Sequence, residues 1–342
     1  MLRRIKNTYH FLLWILQVVR LQRHRHRDRP VIISYCGVTS SHDNLKAWNS
    51  DGRHLLQKKF ERQLRYIKRH YEVIQLSELV RKIRNGQPLP PRTVALTFDY
   101  GYSNAYTNAF SILTSYSIPF AVSLVTQFVD SKELLWIDRL EYAISRSRND
   151  SFQVKIGDTV FDEPLVTPER KARAYRRIKG ICSEFDLKKR EMLVQEVERQ
   201  MEHSLGAEFS VPKDYRGLSS DQVKELSKLK VDIGSHTTHL LNLTRISGRD
   251  LRTEVLTSKQ CIEKMIGGQC SFFVYPFEET GALSEGIIHF VEKCGYQFAL
   301  TNTPGFITDD VNLYTMPRIT VSDKSGFFTF AARLAGTGLK RR

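Results

Sequence analysis

The chain has 342 residues, 41% apolar and 26% charged, longer than the ~150 residues of a common single domain and suited to a barrel or a domain with an insertion. Collagen-like, disordered and disulfide-scaffold proteins are excluded by this composition. Lys and Arg number 52 against 37 Asp and Glu, a formal charge of +15, which admits nucleic acid, a membrane surface or an acidic polymer as a partner class.

Eight basic side chains and one acid fall within residues 1–29, so the body is only mildly basic. Between Tyr9 and Leu21 only His10, Gln17 and Arg20 interrupt an apolar run, shorter than the ~20 residues that span a bilayer. Five arginines and two histidines follow between Arg20 and Arg29, where a cleavable signal peptide would place small residues. Two readings stand level: a helix on an anionic membrane face with Trp14 at the interface, or a helix packed on the body with a solvated basic linker. An uncleaved signal anchor is a third. The expected location is cytoplasmic or peripheral at a membrane. Five cysteines, Cys36, Cys182, Cys261, Cys270 and Cys294, lack paired C-x-x-C spacing, which fits a reduced compartment and suggests no thiolate zinc site.

From residue 30 onward short apolar strands alternate with amphipathic helices, the pattern of an α/β fold. Strands are predicted over Val31–Tyr35, Val94–Phe98, Phe120–Val125, Val231–Ile233, Ser271–Tyr275 and Phe298–Thr301. Helices are predicted over Leu55–His70 and Asp250–Ile266, the latter opened by Ser247 and stopped by Gly267 and Gly268. The alternation breaks between residues 131 and 215, where Thr167–Ile181 and Asp186–Leu205 read as a helical insertion, with Pro168 and Glu169 a favourable opening. The expected divisions are 1–29, a first barrel part 30–130, the insertion 131–215, a second barrel part 216–330 and a basic tail 331–342.

Three polar constellations each follow a predicted strand, where parallel α/β folds gather their sites. In Leu96-Thr97-Phe98-Asp99-Tyr100-Gly101-Tyr102 a carboxylate ends an apolar strand; Asp99 reads as a general base or metal ligand, or as a turn-shaping residue. In Gly234-Ser235-His236-Thr237-Thr238-His239 two imidazoles three residues apart share a helical face and reach one ion, or serve as hydrogen-bonded structural histidines. Phe272-Phe273-Val274-Tyr275-Pro276-Phe277-Glu278-Glu279 ends a strand in an aromatic loop and two acids. Phe272 and Phe273 read as core, whereas Tyr275, Phe277, Glu278 and Glu279 are candidates for a sugar site.

Taken in order, these stretches resemble the NodB-like polysaccharide deacetylases from about Pro30 to Val321. Val94–Tyr102 resembles the family's Thr-Phe-Asp-Asp-Gly signature and Asp232–Thr237 its metal-histidine motif. Tyr275-Pro276-Phe277, Gly295-Tyr296 and Met316-Pro317-Arg318-Ile319 resemble the pocket loop and closing strands of members linked to surface polysaccharides. Trp136-Ile137-Asp138-Arg139-Leu140 resembles the start of the insertion in such members. The resemblance implies a distorted (β/α)7 barrel that removes N- or O-acetyl groups from an acetylated polysaccharide with a divalent metal, typically zinc. It implies Asp99 as base, His236 and His239 on the metal, and Tyr100, Tyr275, Pro276, Phe277, Glu278 and Arg318 around substrate.

The chain departs from the family pattern in several places. Tyr100 stands where the metal-binding Asp belongs, and a phenol of pKa ~10 brings no charge to a cation. The family spacing puts the second histidine at Leu240, whereas this chain offers His239. Cys36 replaces the common Tyr-His after the first strand, Val274 replaces the pocket-loop Arg, and no histidine follows His289 to act as late acid. Glu278 or Glu279 is a candidate replacement carboxylate. The expected function is therefore a deacetylase with a weak or rewired centre, the alternative a catalytically inactive glycan-binding or scaffold protein. A nucleic-acid-binding role is set aside because the body carries no helix-turn-helix, zinc module or aromatic-basic interleaving.

Overall fold

A computed structural model describes residues 17–40, 49–156, 159–205, 215–277 and 283–338. Helix α1 (Val18–Arg25) leads into β1 (Val31–Tyr35), buried along its whole length. A short parallel pair, β2 (Gly37–Thr39) and β3 (His54–Leu56), caps the end of β1. Helix α2 (Gln57–His70), β4 (Glu72–Val73), α3 (Leu76–Arg84), β5 (Thr93–Phe98), α4 (Phe110–Ser115) and β6 (Ala121–Leu124) complete the first barrel part. The insertion holds α5 (Trp136–Arg146), β7 (Ser151–Ile156), β8 (Thr159–Pro164), α6 (Pro168–Ser183) and α7 (Leu187–Leu205). The barrel resumes with α8 (Ser220–Lys228), β9 (Asp232–Ser235), α9 (Gly248–Arg252), α10 (Ser258–Ile266) and β10 (Phe272–Val274). It ends with α11 (Glu285–Lys293), β11 (Phe298–Leu300), β12 (Ile319–Thr320) and α12 (Phe327–Leu334).

The main sheet runs β11-β10-β9-β6-β5-β1-β12, every pairing parallel, with β4 beside the start of β5. Parallel strands covered on both faces read as nearly continuous apolar runs, which is why six of them were visible in the sequence. One segment joins the two ends of the sheet. Met316 bridges Leu300 of β11, while three residues later Ile319 pairs with Ile33 of β1. The architecture is the distorted (β/α)7 barrel that the sequence suggested.

The insertion packs its own apolar cluster around Trp136, Leu140, Tyr175, Ile178, Val194 and Val197 and shares it with Tyr102 and Leu240 of the barrel. Thr167 caps α6 by accepting the Arg170 N–H at 3.3 Å. The β7–β8 hairpin was not expected in a region read as helical. Its alternation, Phe152 and Val154 in and Ser151, Gln153 and Lys155 out, is short and set among polar residues. A buried ionic knot fastens insertion to barrel: Arg53, beside β3, donates to Asp138 and Glu141 of α5 at 2.6 Å each and to Tyr175 of α6 at 2.6 Å, while Tyr102 donates to Asp138 at 2.7 Å.

At the amino end, α1 lies on the body: Val19 is buried against Ala332 and Ala335, and Arg23 donates to the Tyr66 hydroxyl at 3.0 Å. This matches the packed-helix alternative for the part of residues 1–29 from Gln17 onward; Trp14 and its neighbours lie outside the described residues. No helix among the described residues is long and apolar enough to cross a membrane. At the other end, the segment from 331 begins inside α12, with Ala331, Ala332, Leu334 and Ala335 buried, so its start belongs to the core and not to a tail.

Candidate active site

Asp99, His236 and Tyr275 each follow the last residue of a parallel strand, β5, β9 and β10. The three loops share a strained backbone: Tyr100, Thr237, Leu240 and Phe277 all have positive φ, between 50° and 74°. Such conformations cost ~1–3 kcal/mol each for residues other than glycine and persist where the surroundings over-determine them.

The Asp99 carboxylate is buried and heavily engaged. Ser34 of β1 donates to Oδ2 at 2.6 Å; Ser123 of β6 and the Arg318 guanidinium donate to Oδ1 at 3.0 and 2.8 Å. Burial alone would raise its pKa, but Arg318, then His236 and the hydrogen bond from Ser34, outweigh it and hold the carboxyl below its ordinary value. Arg318 is itself fully buried and spends its other donors on the Thr301 carbonyl at 2.9 Å and Asn302 Oδ1 at 2.7 Å. It faces Asp99 rather than a surface open to substrate, and it delivers from the closing strand the positive charge that Val274 does not supply from the pocket loop.

His236 lies beside this carboxylate. Its Nδ1 is 3.2 Å from the Ser123 hydroxyl oxygen. Because that hydroxyl spends its hydrogen on Asp99, Nδ1 carries the imidazole proton and donates it. The buried Nε2 is then a bare lone pair with no partner among the described residues. Burial, reinforced by Arg318 and opposed by Asp99, pulls the imidazole down to about 4, so it is neutral at physiological pH. Tyr100 stacks on the ring, centroids 4.7 Å apart. Burial and the neighbouring Cys36 and Asp99 raise the Tyr100 pKa well above its usual value, and burial likewise raises that of Cys36. Both groups are neutral.

The partner of His239 is a buried carboxylate met through Nδ1, which leaves Nε2 as the nitrogen that could ligate. That Nδ1 is 2.6 Å from Oε1 of the buried Glu254, and the His239 backbone N–H also reaches Glu254 Oε2 at 3.0 Å. Glu254 sits in a π-turn, Thr253–Thr257, between α9 and α10, a local widening frequent at functional sites. Leu240, the position that the family spacing assigns to the second histidine, is buried in the insertion's cluster. Arg190 of α7 donates to the carbonyls of His239 and Leu240 at 2.8 and 3.0 Å and lies over the Trp136 ring.

These donors do not fit the Asp-His-His set of the family's divalent metal. His236 offers one bare nitrogen, Tyr100 offers a protonated phenol where the set needs a carboxylate, and Asp99 is neutralised by Arg318. Among the described residues no group of three or more His, Cys, Asp and Glu side chains is arranged to hold an ion. Glu278 and Glu279, the suggested replacements, lie outside the described residues.

Of the other candidates, Tyr275 and Pro276 are buried, and Phe277 is half-buried with its ring 5.5 Å from Trp136. Two participants were missed in the sequence, Ser34 and Ser123. Each is the polar residue of a strand otherwise buried and apolar, and a buried hydroxyl in such a setting needs a partner; that was the available signal.

A closing parallel barrel with a carboxylate and an imidazole at the carboxyl ends of its strands gathers its polar groups where α/β barrels place their active sites. Residues 86–158 and 181–299 match the family described as polysaccharide deacetylase. The chain belongs to that family. It is 22% identical over 265 residues, 77% of its length, to the poly-beta-1,6-N-acetyl-D-glucosamine N-deacetylase of Escherichia coli (strain K12). The matches span 33–40% of the length of the curated relatives. Among solved structures it is similar to the Streptococcus pyogenes deacetylase PplD in complex with acetate, with TM-score 0.56 and 15% identity over 86% of this chain and 93% of that one. BC0361, a polysaccharide deacetylase from Bacillus cereus, gives TM-score 0.56 and 16% identity over 90% of this chain and 69% of that one. At these identities the structures establish the shared fold.

Proposed function

We propose that the protein hydrolyses acetyl groups on an acetylated polysaccharide, with Asp99, Ser123 and His236 as a linked set. The observation that carries this reading is the bare, buried His236 Nε2 behind which Ser123 and Asp99 are hydrogen-bonded in series. The resemblance makes Asp99 the base, yet three donors already occupy its oxygens and lower its basicity. His236 is the better-placed acceptor.

In this scheme Nε2 takes a proton from water as the water oxygen attacks the acetyl carbonyl carbon. Asp99, acting through Ser123, supports the charge that forms on the imidazole. The same nitrogen then returns the proton to the departing amine or alkoxide as the C–N or C–O bond breaks, giving acetate and a freed amine or hydroxyl. No step is routed through a metal ion, because the donor set does not suit one. The weak basicity of a buried imidazole implies slow turnover.

Poly-beta-1,6-N-acetyl-D-glucosamine, named for the Escherichia coli relative, is the first substrate to try. Acetate release by the purified chain, retained after chelator treatment and lost in His236→Gln, supports the proposal. Activity lost with chelator and restored by zinc overturns its metal-free form.

A second reading is favoured by the Tyr100 substitution: a family member that binds glycan without turnover. It expects glycan binding that survives His236→Gln and no acetate from any acetylated polymer.

A further inference from the structure

The end of the barrel opposite the candidate site is covered by exposed cations from three separate pieces of chain. Arg20 and Arg25 are exposed on α1, Arg65, Lys68 and Arg69 on α2, and Arg92 just before β5. Several contacts hold these three pieces of chain together. Arg23 of α1 donates to Tyr66 of α2 at 3.0 Å, the Arg92 N–H donates to the Arg27 carbonyl, and the Glu72 N–H donates to the Arg92 carbonyl at 3.0 Å. His70 stands among them: burial first, then the charges of Arg23, Arg69 and Arg92, lowers its pKa to about 4. The acids nearby, Asp28 paired with Arg27, Glu61 accepting from the Tyr116 hydroxyl, and the exposed Glu72, are fewer than the cations.

Basic residues in the last turn of α2 complement the helix dipole, but that does not explain Arg20, Arg65 or Arg92. An apolar element accompanies the charge. Leu21 is 66% exposed on α1, between Arg20 and Arg23, and the sequence that enters α1 is the apolar run from Tyr9. Clustered cations beside an exposed leucine match a lipid headgroup layer with acyl chains beneath. A nucleic acid would complement the charge but leave the apolar element without a role.

We propose that this face, formed by α1, α2 and the Arg92 turn, seats on an anionic lipid bilayer and directs the candidate site away from the membrane. The arrangement places the strand amino ends at the lipid surface and Asp99 and His236 at the far end, toward a polymer in solution. It is independent of whether the site is catalytic.

The test is co-sedimentation of the full chain with vesicles of phosphatidylcholine alone or with about one-third phosphatidylglycerol. Binding to the anionic vesicles, weakened by salt and reduced at least about tenfold in the triple variant Arg65→Glu, Lys68→Glu, Arg69→Glu, is expected. The milder set Arg65→Gln, Lys68→Gln, Arg69→Gln, matched to the native chain by thermal unfolding, is expected to bind at an intermediate level. Equal binding to both kinds of vesicle overturns the proposal, as does binding unaffected by either set of α2 changes. Tighter binding to a duplex oligonucleotide than to anionic vesicles assigns the face to nucleic acid and likewise overturns it.

Discussion

The Arg318 guanidinium lies 2.8 Å from Asp99 Oδ1 with both side chains shut away from solvent, although 219 positions separate them in the chain. Removing one member of a buried pair strands the other charge and typically costs ~3–5 kcal/mol, whereas removing both is far less harmful. Arg318→Met is expected to lower stability by that order, and Arg318→Met combined with Asp99→Asn to recover most of it. Urea unfolding of the two single variants and the double closes the cycle. Equal losses in the single and double variants would show that Arg318 stabilises through its carbonyl contacts and not through Asp99.

Ionisation of Asp99 sets an acid limit. Its folded pKa is depressed below the unfolded value, so the stability it contributes is present above the unfolded pKa of ~3.9 and is lost as pH falls through the folded value. Asp99→Asn is expected to flatten the low-pH part of the unfolding curve relative to the native chain, measured as unfolding midpoint against pH.

His236 acts in a higher window. Its pKa falls to about 4 in the folded chain against ~6.5 when unfolded, so the unfolded state binds more protons between those values and stability falls as pH drops through them. The imidazole accounts for a loss of about 3 kcal/mol across the window, at ~1.4 kcal/mol per pH unit. His236→Gln is expected to remove that increment, seen as a smaller difference between unfolding midpoints near pH 7 and pH 4.

The ionic knot around Arg53 makes a separate prediction. Arg53→Met leaves Asp138 and Glu141 buried without their cation and is expected to cost ~3–5 kcal/mol. It should also speed proteolytic cutting between residues 147 and 215 relative to the rest of the chain. Tyr102→Phe removes one hydrogen bond to Asp138, worth ~1–3 kcal/mol when a buried acceptor loses its donor, and should leave the cutting pattern closer to native.

The metal question has a geometric test. Tyr100→Asp restores a carboxylate beside His236. Stoichiometric zinc, measured per chain by elemental analysis, is expected in Tyr100→Asp and not in the native chain. Full zinc loading of the native chain would mean that the phenol does not prevent an ion from binding.

Much of the barrel could be read from the sequence because parallel strands buried on both faces are nearly continuous apolar runs. Val31–Tyr35 and Val94–Phe98 are of this kind, broken only by Ser34 and Thr97, and Asp99 and His236 were legible as strongly polar residues at the ends of such runs. Less visible were interactions joining distant segments. Nothing around Glu254 marks it as the partner of His239, because the link depends on a π-turn that presents the carboxylate to a loop fifteen residues earlier. Arg318 was placed around substrate on the family resemblance alone, and nothing in its own stretch shows that it is buried against Asp99. The β7–β8 hairpin was hidden because its inward side chains are few and the surrounding charge favours helix. In each case the missing information was tertiary: which buried polar group meets which.

The segment that links Leu300 to Ile33 carries Arg318 between its two attachment points. Closure of the ring and neutralisation of the central carboxylate therefore depend on the same five-residue strap, Met316 to Thr320. A chain shortened before that strap would lose its circumference and its counter-charge together, so trimming that removes Met316–Thr320 cannot isolate a smaller working unit.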